Sequence, residues 1–382
     1  MIRPFVASIM GLFILSVLIL FASFRETTTT TTTTIGNTES KNNSDASTNS
    51  KGTREFDRDA VEEAIRNEMR PFAAVHWRKL VQATNRKALQ RTPESNCKGA
   101  RAMRVAVCAI VQYESLYLSE WLAHHRTIGV EHFFLLDDNA ADAFERNQTA
   151  LMVAPFGADV TLFHSEQLGT LVTDDALVAA VGGLSKKQFL WFTHCSRELR
   201  TFAGKQFDWI ANIDADEFVL PVDADKNWCL QDLLAKQAPA TPALMLSRRT
   251  FTSSGETDYV DAPVMSRFTK AADTTTVKSI VRPETVLLCA SAHQCEYKDG
   301  ARARNLAGQE SGTEKSGRET TNPVFAPAFL AHYRTKSLSE CVWKTVRGYG
   351  WMESKGFTFC GQSDGVRDAS AKPWAKRYEE LL

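Results

Sequence analysis

The sequence carries no excess charge of either sign. Its 45 basic and 45 acidic residues in 382 leave a formal net charge of zero. That removes the global field on which a binder of nucleic acid or of an anionic membrane surface relies. Several short enzyme signatures are also missing. There is no Walker-type phosphate loop, no His-Glu-x-x-His and no Gly-x-Gly-x-x-Gly. Their absence argues against P-loop NTPases, zincin proteases and dinucleotide-dependent oxidoreductases. No Cys-x-x-Cys occurs among the eight cysteines, which argues against a zinc ribbon.

Charge is missing altogether from residues 5–24, a run of twenty between Arg3 and Arg25. About 20 apolar residues span a bilayer, whereas a cleaved signal peptide has an apolar stretch of about 7–15. The run therefore reads as an uncleaved transmembrane signal-anchor. Thr27 to Thr34 are eight consecutive threonines, followed by Asn, Ser, Thr and Lys to about residue 53. Such a composition cannot bury enough surface to fold and reads as an exposed stem. Sequons at Asn42 and Asn147 fit a lumenal protein. In a lumenal domain some cysteines should pair, but sequence does not give the connectivity. Cys108, inside an apolar run, reads as a buried thiol. The expected organisation is a cytoplasmic tail (residues 1–4), the anchor (5–24), a stem and helical neck (25–100), a globular domain (101–360) and a C-terminal tail (361–382).

Within the globular part, residues 104–111 (RVAVCAIV) form a β-branched apolar run typical of a buried parallel strand. Residues 131–136, 159–163 and 207–213 suggest three more strands. Residues following Ser115, a candidate N-cap, have helical spacing up to Gly129, and residues 184–202 also look helical. This alternation predicts an α/β fold with a mainly parallel sheet flanked by helices. Ligands of such sheets bind at the carboxyl ends of strands. Two acidic clusters fall there. Beyond residue 240 the pattern changes: 243–251, 277–282 and 286–290 look like strands without long helices between them. Residues 300–322 read as a mobile loop. Residues 337–347 read as a helix opened by a Ser337–Glu340 capping box.

Asp214-Ala215-Asp216 ends the fourth strand-like run. Residues two apart in an extended chain point the same way, so the two carboxylates can bind a hard cation that holds a diphosphate. Asp223-Ala224-Asp225 has the same spacing but no apolar strand before it. Asp137 and Asp138 end the second run, where an acid can accept hydrogen bonds from ribose hydroxyls or a uracil N–H. Glu114 follows the first run at the same sheet edge. His332, Arg334 and Lys336 precede the capped helix, whose N-terminus would attract an anion; His332 has an imidazole that can complete a metal site. Lys278 and Arg282 are phosphate contacts or a solvated strand face. His293, between Cys289 and Cys295, reads as a loop histidine beside a local disulfide. An inverting sugar transfer needs a base for the acceptor hydroxyl, and Glu217, Glu256 and Asp258 are the candidates.

The stretch from Val105 to Ala140 resembles the opening of glycosyltransferase family 92. Glu114, Tyr117-Leu118, Glu120-Trp121, His124-His125 and Asp138-Asn139 stand where that family has its motif residues. Gln112-Tyr113 departs from it. Asp208-Trp209-Ile210 with Asp214-Ala215-Asp216-Glu217-Phe218, Lys278 to Pro283 with His293, and His332 to Ser337 with Lys344 and Arg347-Gly348 are similar to later motifs. The resemblance implies a GT-A fold, Mn²⁺ or another divalent cation, and a UDP-sugar donor, with UDP-galactose favoured. It places Asp214 and Asp216 in the metal motif, Glu114, Asp137 and Asp138 on the nucleoside side, and His332 and Lys336 near the diphosphate. The expected protein is a Golgi, single-pass type II glycosyltransferase acting on a glycan, glycoprotein or glycolipid acceptor. The rival expectation is a non-catalytic glycan-binding protein that keeps the fold.

Overall fold

The structure is a computed structural model. It describes residues 75, 78–79, 97, 103–139, 143–172, 186–223, 228–310, 319–346, 360, 365–368 and 370–379. The expected anchor, the threonine-rich stem, most of the neck, Asp225 and Arg347-Gly348 lie outside them. Among the described residues no helix is long and apolar enough to cross a membrane.

Four strands make a parallel half-sheet: β1 (Val105–Val111), β2 (His132–Asp137), β3 (Val160–His164) and β4 (Trp209–Asn212). Their order is β3-β2-β1-β4. Every residue of β2 and β4 is buried, which is why these strands read as continuous apolar runs rather than alternating ones. Helix α1 (Ser115–Thr127) links β1 to β2. Ser115 does not cap it, contrary to expectation. Glu114 holds the cap position without a side-chain bond, and the Ser115 hydroxyl donates instead to Glu145 on α2 (Ala143–Val153), 2.8 Å away. The helix ends at Gly129, whose φ of +104° suits glycine; a Cβ there would also lie 2.4 Å from the Cys97 sulfur. Helix α3 (Lys186–Glu198) follows, shorter than the 184–202 expected because Thr201–Phe202 and Lys205–Gln206 form a small hairpin.

The second half of the sheet is mixed. It contains β5 (Glu217–Pro221), β6 (Ala243–Phe251), β7 (Lys270–Val281) and β8 (Ala328–His332). From β4 the order continues β7-β6-β8-β5. β7 is antiparallel to both β4 and β6, β8 is parallel to β6, and β5 is antiparallel to β8. The fold is therefore α/β with a mixed, mainly parallel sheet. Between β5 and β6 lies α4 (Leu230–Ala235), and after β8 comes α5 (Leu338–Val346). The expected loop at 300–322 contains order: Arg304–Asn305 pairs with β6, and Thr276 bridges Glu319.

β4 and β5 are four places apart in strand order, yet only Ile213 to Asp216 join them. Glu217 N–H donates to Asp214 C=O at 3.1 Å, closing a tight turn. Four strand spacings in a flat sheet would be about 19 Å, too far for this turn. The sheet accordingly curls. β4 and β7 pair only through Ile210–Val281 and Ala211–Ile280, and beyond that they part to admit the turn.

All eight cysteines are paired: Cys97–Cys229, Cys108–Cys195, Cys289–Cys295 and Cys341–Cys360. Cys108 is buried as expected, but it is bonded to α3 rather than left as a thiol. Around that bridge Phe134, Trp191, Phe192, Phe207 and Tyr297 pack as one core cluster.

Candidate active site

The carboxyl ends of β1, β2, β4, β6 and β8 share one edge of the sheet, and the chemistry-bearing residues collect there in two groups. The larger is built on the β4–β5 turn. Asp216 is 5% exposed and holds two partners on its two oxygens: His332 Nε2 stands 3.3 Å from Oδ1, and Lys344 Nζ stands 2.9 Å from Oδ2. His332 reaches the turn because it ends β8, opposite Glu217 of β5. Lys344 comes from α5 and continues to Glu114 at 2.7 Å; Glu114 also accepts from Lys336 at 3.2 Å. Lys336 has φ of +56°, and its ammonium lies 4.1 Å from the centre of the Tyr117 ring. The Tyr117 hydroxyl donates to Glu340 at 2.5 Å, and Arg267 pairs with the same carboxylate. Asp214 takes a different cation, Lys278, at 2.6 Å.

Burial would raise the Asp216 carboxyl, but Lys344 and His332 beside it hold it well below the usual carboxylate range. Burial pushes His332 down to about 4 against the pull of Asp216. The site thus pairs an ionised carboxylate with a neutral imidazole, both in the ligating form. Their 3.3 Å separation is close to the ~3 Å between neighbouring donors of an octahedral cation with bonds of about 2.1 Å. These two donors fit a divalent ion, with oxygens of a bound diphosphate needed to complete its shell. Among the described residues no three His, Cys, Asp or Glu side chains converge to hold a metal alone.

Other expected residues are placed differently. Glu217 is fully buried; its carboxylate accepts the Asp214 amide at 2.9 Å and lies 3.4 Å from Lys278 and 3.8 Å from Arg248. Burial raises its pKa to about 7. It braces the turn and does not face solvent. Glu256 and Asp258 are exposed on the loop after β6. Arg282 lies at the opposite sheet edge, donating to Thr241 C=O at 3.0 Å and stacking on Trp209 at 4.2 Å, so it is not brought to the site. Arg334 is half-buried on the segment between His332 and α5. His293 bonds Val277 C=O at 2.7 Å through Nδ1.

The N-terminus of α5 is not open to an anion, contrary to expectation. Leu338 N–H donates to Glu256 C=O at 3.0 Å and Ser339 N–H to Thr257 C=O at 2.9 Å. Glu340 N–H donates to the Ser337 hydroxyl at 3.3 Å, and Ser337 N–H to the Glu340 carboxylate at 3.1 Å. The capping box forms, and with the loop carbonyls it consumes the amides a phosphate would use.

The smaller group ends β2. Asp137 is fully buried; one oxygen accepts the Asn139 amide at 2.9 Å, and the other has no hydrogen-bond partner and lies 3.9 Å from His164 Nδ1. Burial raises its pKa. Asp138 pairs with Lys187 of α3. Two strand spacings, about 10 Å, separate β2 from β4. Reasoning from residue types did not single out Tyr117, Arg267 or Arg248, and Lys344 entered only through the family resemblance. A lysine in mid-helix gives no local signal of which carboxylate it will meet.

A family model, glycosyltransferase family 92, matches residues 103–348. A glycosyltransferase family 92 protein of Ricinus communis is 26% identical over 220 residues, which are 56% of this chain and 35% of that protein. Another, of Oryza sativa subsp. japonica, is 25% identical over 211 residues, 54% of this chain and 32% of its own length. The chain thus spans about a third of the length of these curated relatives. Among solved structures, a mannosyltransferase from Pyrobaculum calidifontis in complex with GDP-Man and Mn²⁺ aligns with 49% of this chain and 46% of its own, at 14% identity. Its TM-score of 0.20 is too low to bear on fold or function.

Proposed function

Because the chain belongs to glycosyltransferase family 92, we propose that it transfers a sugar from a UDP-sugar, with UDP-galactose the first donor to test, to a glycan acceptor with inversion. The observation that carries this reading is the Asp216–His332 pair, 3.3 Å apart, at the carboxyl edge of the sheet and inside the family match. Asp216 and His332 would hold Mn²⁺, which when bound stabilises the departing diphosphate as a Lewis acid. Asp214, pinned by Lys278, keeps the turn and so the aim of Asp216. Asp137, with one oxygen unpartnered, and Asp138 would accept hydrogen bonds from the nucleoside. Glu256 or Asp258 would take the acceptor proton. Both are exposed, on a loop fastened to α5 through the Glu256 and Thr257 carbonyls.

Four disulfides and no free cysteine support an oxidising compartment. With the uncharged run at 5–24 they favour a Golgi, single-pass type II protein. The test is UDP release by the purified full-length chain across a panel of UDP-sugars, with Mn²⁺ and with EDTA. Metal-dependent release from one donor is expected. A folded sample that neither releases nor binds UDP with Mn²⁺ present would overturn the reading and favour a non-catalytic glycan binder.

A further inference from the structure

The charges around Asp216 cancel one another. Lys344 bridges Asp216 and Glu114, and Lys336 completes the set on the second oxygen of Glu114. Two ammonium groups therefore face two carboxylates, and all four side chains are 8% exposed or less. The neighbouring Asp214 is matched in the same way by Lys278. A nucleoside diphosphate arrives with two to three negative charges. A cluster whose lysines are already taken up by carboxylates at short range and low exposure offers it little net attraction.

Glu114 is the group on which that balance turns. Each of its oxygens is held by a lysine and its side chain is 7% exposed, so it is engaged with the lysines rather than turned to a nucleoside, the side the family resemblance implied. Lys336 is also held by more than Glu114. Its ammonium rests on the Tyr117 ring, which is anchored through its hydroxyl to Glu340. Removing the charge of Glu114 would leave Lys336 and Lys344 in place with one positive charge uncompensated.

Building on the UDP-sugar reading, we propose that Glu114 is a positioning residue that makes nucleotide binding conditional on a divalent cation: by holding Lys336 and Lys344 it cancels the charge that would otherwise bind a diphosphate without metal. A residue with a merely structural role would weaken nucleotide binding when changed. Here a gain is expected.

The experiment is calorimetric titration of UDP into the full-length chain, in EDTA and in Mn²⁺, for the wild type and Glu114→Gln. The wild type should bind UDP with Mn²⁺ and at least about 30-fold more weakly in EDTA. Glu114→Gln should bind UDP in EDTA about tenfold or more tightly than the wild type does, one uncompensated charge being worth that much at low exposure. Adding Lys336→Met to Glu114→Gln restores the balance and should bring back the wild-type weakness in EDTA. That double variant, which buries no unpaired ammonium, and Glu114→Ala, which removes the same charge and leaves room for water beside the lysines, stand in if Glu114→Gln melts early. In EDTA, Glu114→Ala is expected to bind UDP more tightly than the wild type, and the double variant no more tightly. Glu114→Gln or Glu114→Ala binding in EDTA no better than the wild type would overturn the inference while leaving the donor reading intact. A wild type that binds UDP in neither condition would overturn both.

Discussion

The two halves of the sheet solve the burial of acidic residues in opposite ways. In the parallel half, Asp137 is fully buried and keeps one oxygen without a hydrogen-bond partner among the described residues, 3.9 Å from His164. In the mixed half, at the turn into β5, Asp214 and Asp216 each meet an ammonium within 2.9 Å. A buried carboxylate without a partner is costly, and such a cost persists in a fold when a ligand repays it. The parallel half thus has the marks of a surface awaiting hydrogen-bond donors, and the mixed half those of a charge cluster awaiting a cation.

The sharpest way to break this contrast is to change one acid on each side. Asp216→Asn should lower UDP release by about 10³-fold or more, since it removes a donor to the cation. Asp137→Asn should raise the KM for the donor about tenfold and change kcat by less than about threefold, as expected for binding shared by ground and transition states. Steady-state rates for both variants decide it, with melting curves as controls. Equal losses of kcat in the two would erase the distinction between the halves.

A second comparison uses the disulfides. Cys108–Cys195 ties β1 to α3 across a sequence separation of 87, whereas Cys289–Cys295 closes a separation of 6. By loop-closure entropy the first is worth about 4–5 kcal/mol and the second about 2 kcal/mol. Paired Cys→Ser variants at 108 and 195 should therefore lose the larger share of unfolding free energy in denaturant titrations. The reverse order would mean that the hairpin carrying Cys289 and Cys295 matters more to the core than the parallel strands do.

The smallest expected effect concerns acid. Burial in the parallel half pushes His132 down to about 4, with Lys205 adding to it. Its unfolded value is near 6.5, so the unfolded chain takes up a proton between those values and the folded chain does not. The stability this group contributes is complete above about pH 6.5 and is lost as pH falls toward 4. His132→Gln should reduce the drop in melting temperature between pH 7 and pH 4.5 by roughly 2–4 °C. An unchanged drop would locate the acid sensitivity in the mixed half.

The same division explains what could be read from residues alone. The runs at Val105–Val111 and His132–Asp137 announce themselves, because a strand buried on both faces is apolar throughout. β7 was seen only from Val277 onward. Its first residues, Lys270 to Thr276, are polar and largely exposed and owe their extension to pairing with β6. β5 and β8 are five residues each, too short for periodicity to separate strand from helix. Asp214 and Asp216 were legible because they follow an apolar run. Their partners were less so. Lys344 lies 128 positions from Asp216 and Lys336 lies 222 from Glu114, and no local pattern encodes such pairings.

The tight turn between β4 and β5 has a consequence for biosynthesis. Asp214-Ala215-Asp216 leaves the ribosome before its partners: Lys278, His332 and Lys344 follow it by 62 residues or more. The parallel strands can form from sequence already made, whereas the acidic turn must wait for β7, β8 and α5 before its charges are met. The nascent chain therefore carries an unmet Asp216 until Lys344, 128 residues later, has been made. A truncation before Ala328 would keep both aspartates and have neither His332 nor Lys344 to receive them.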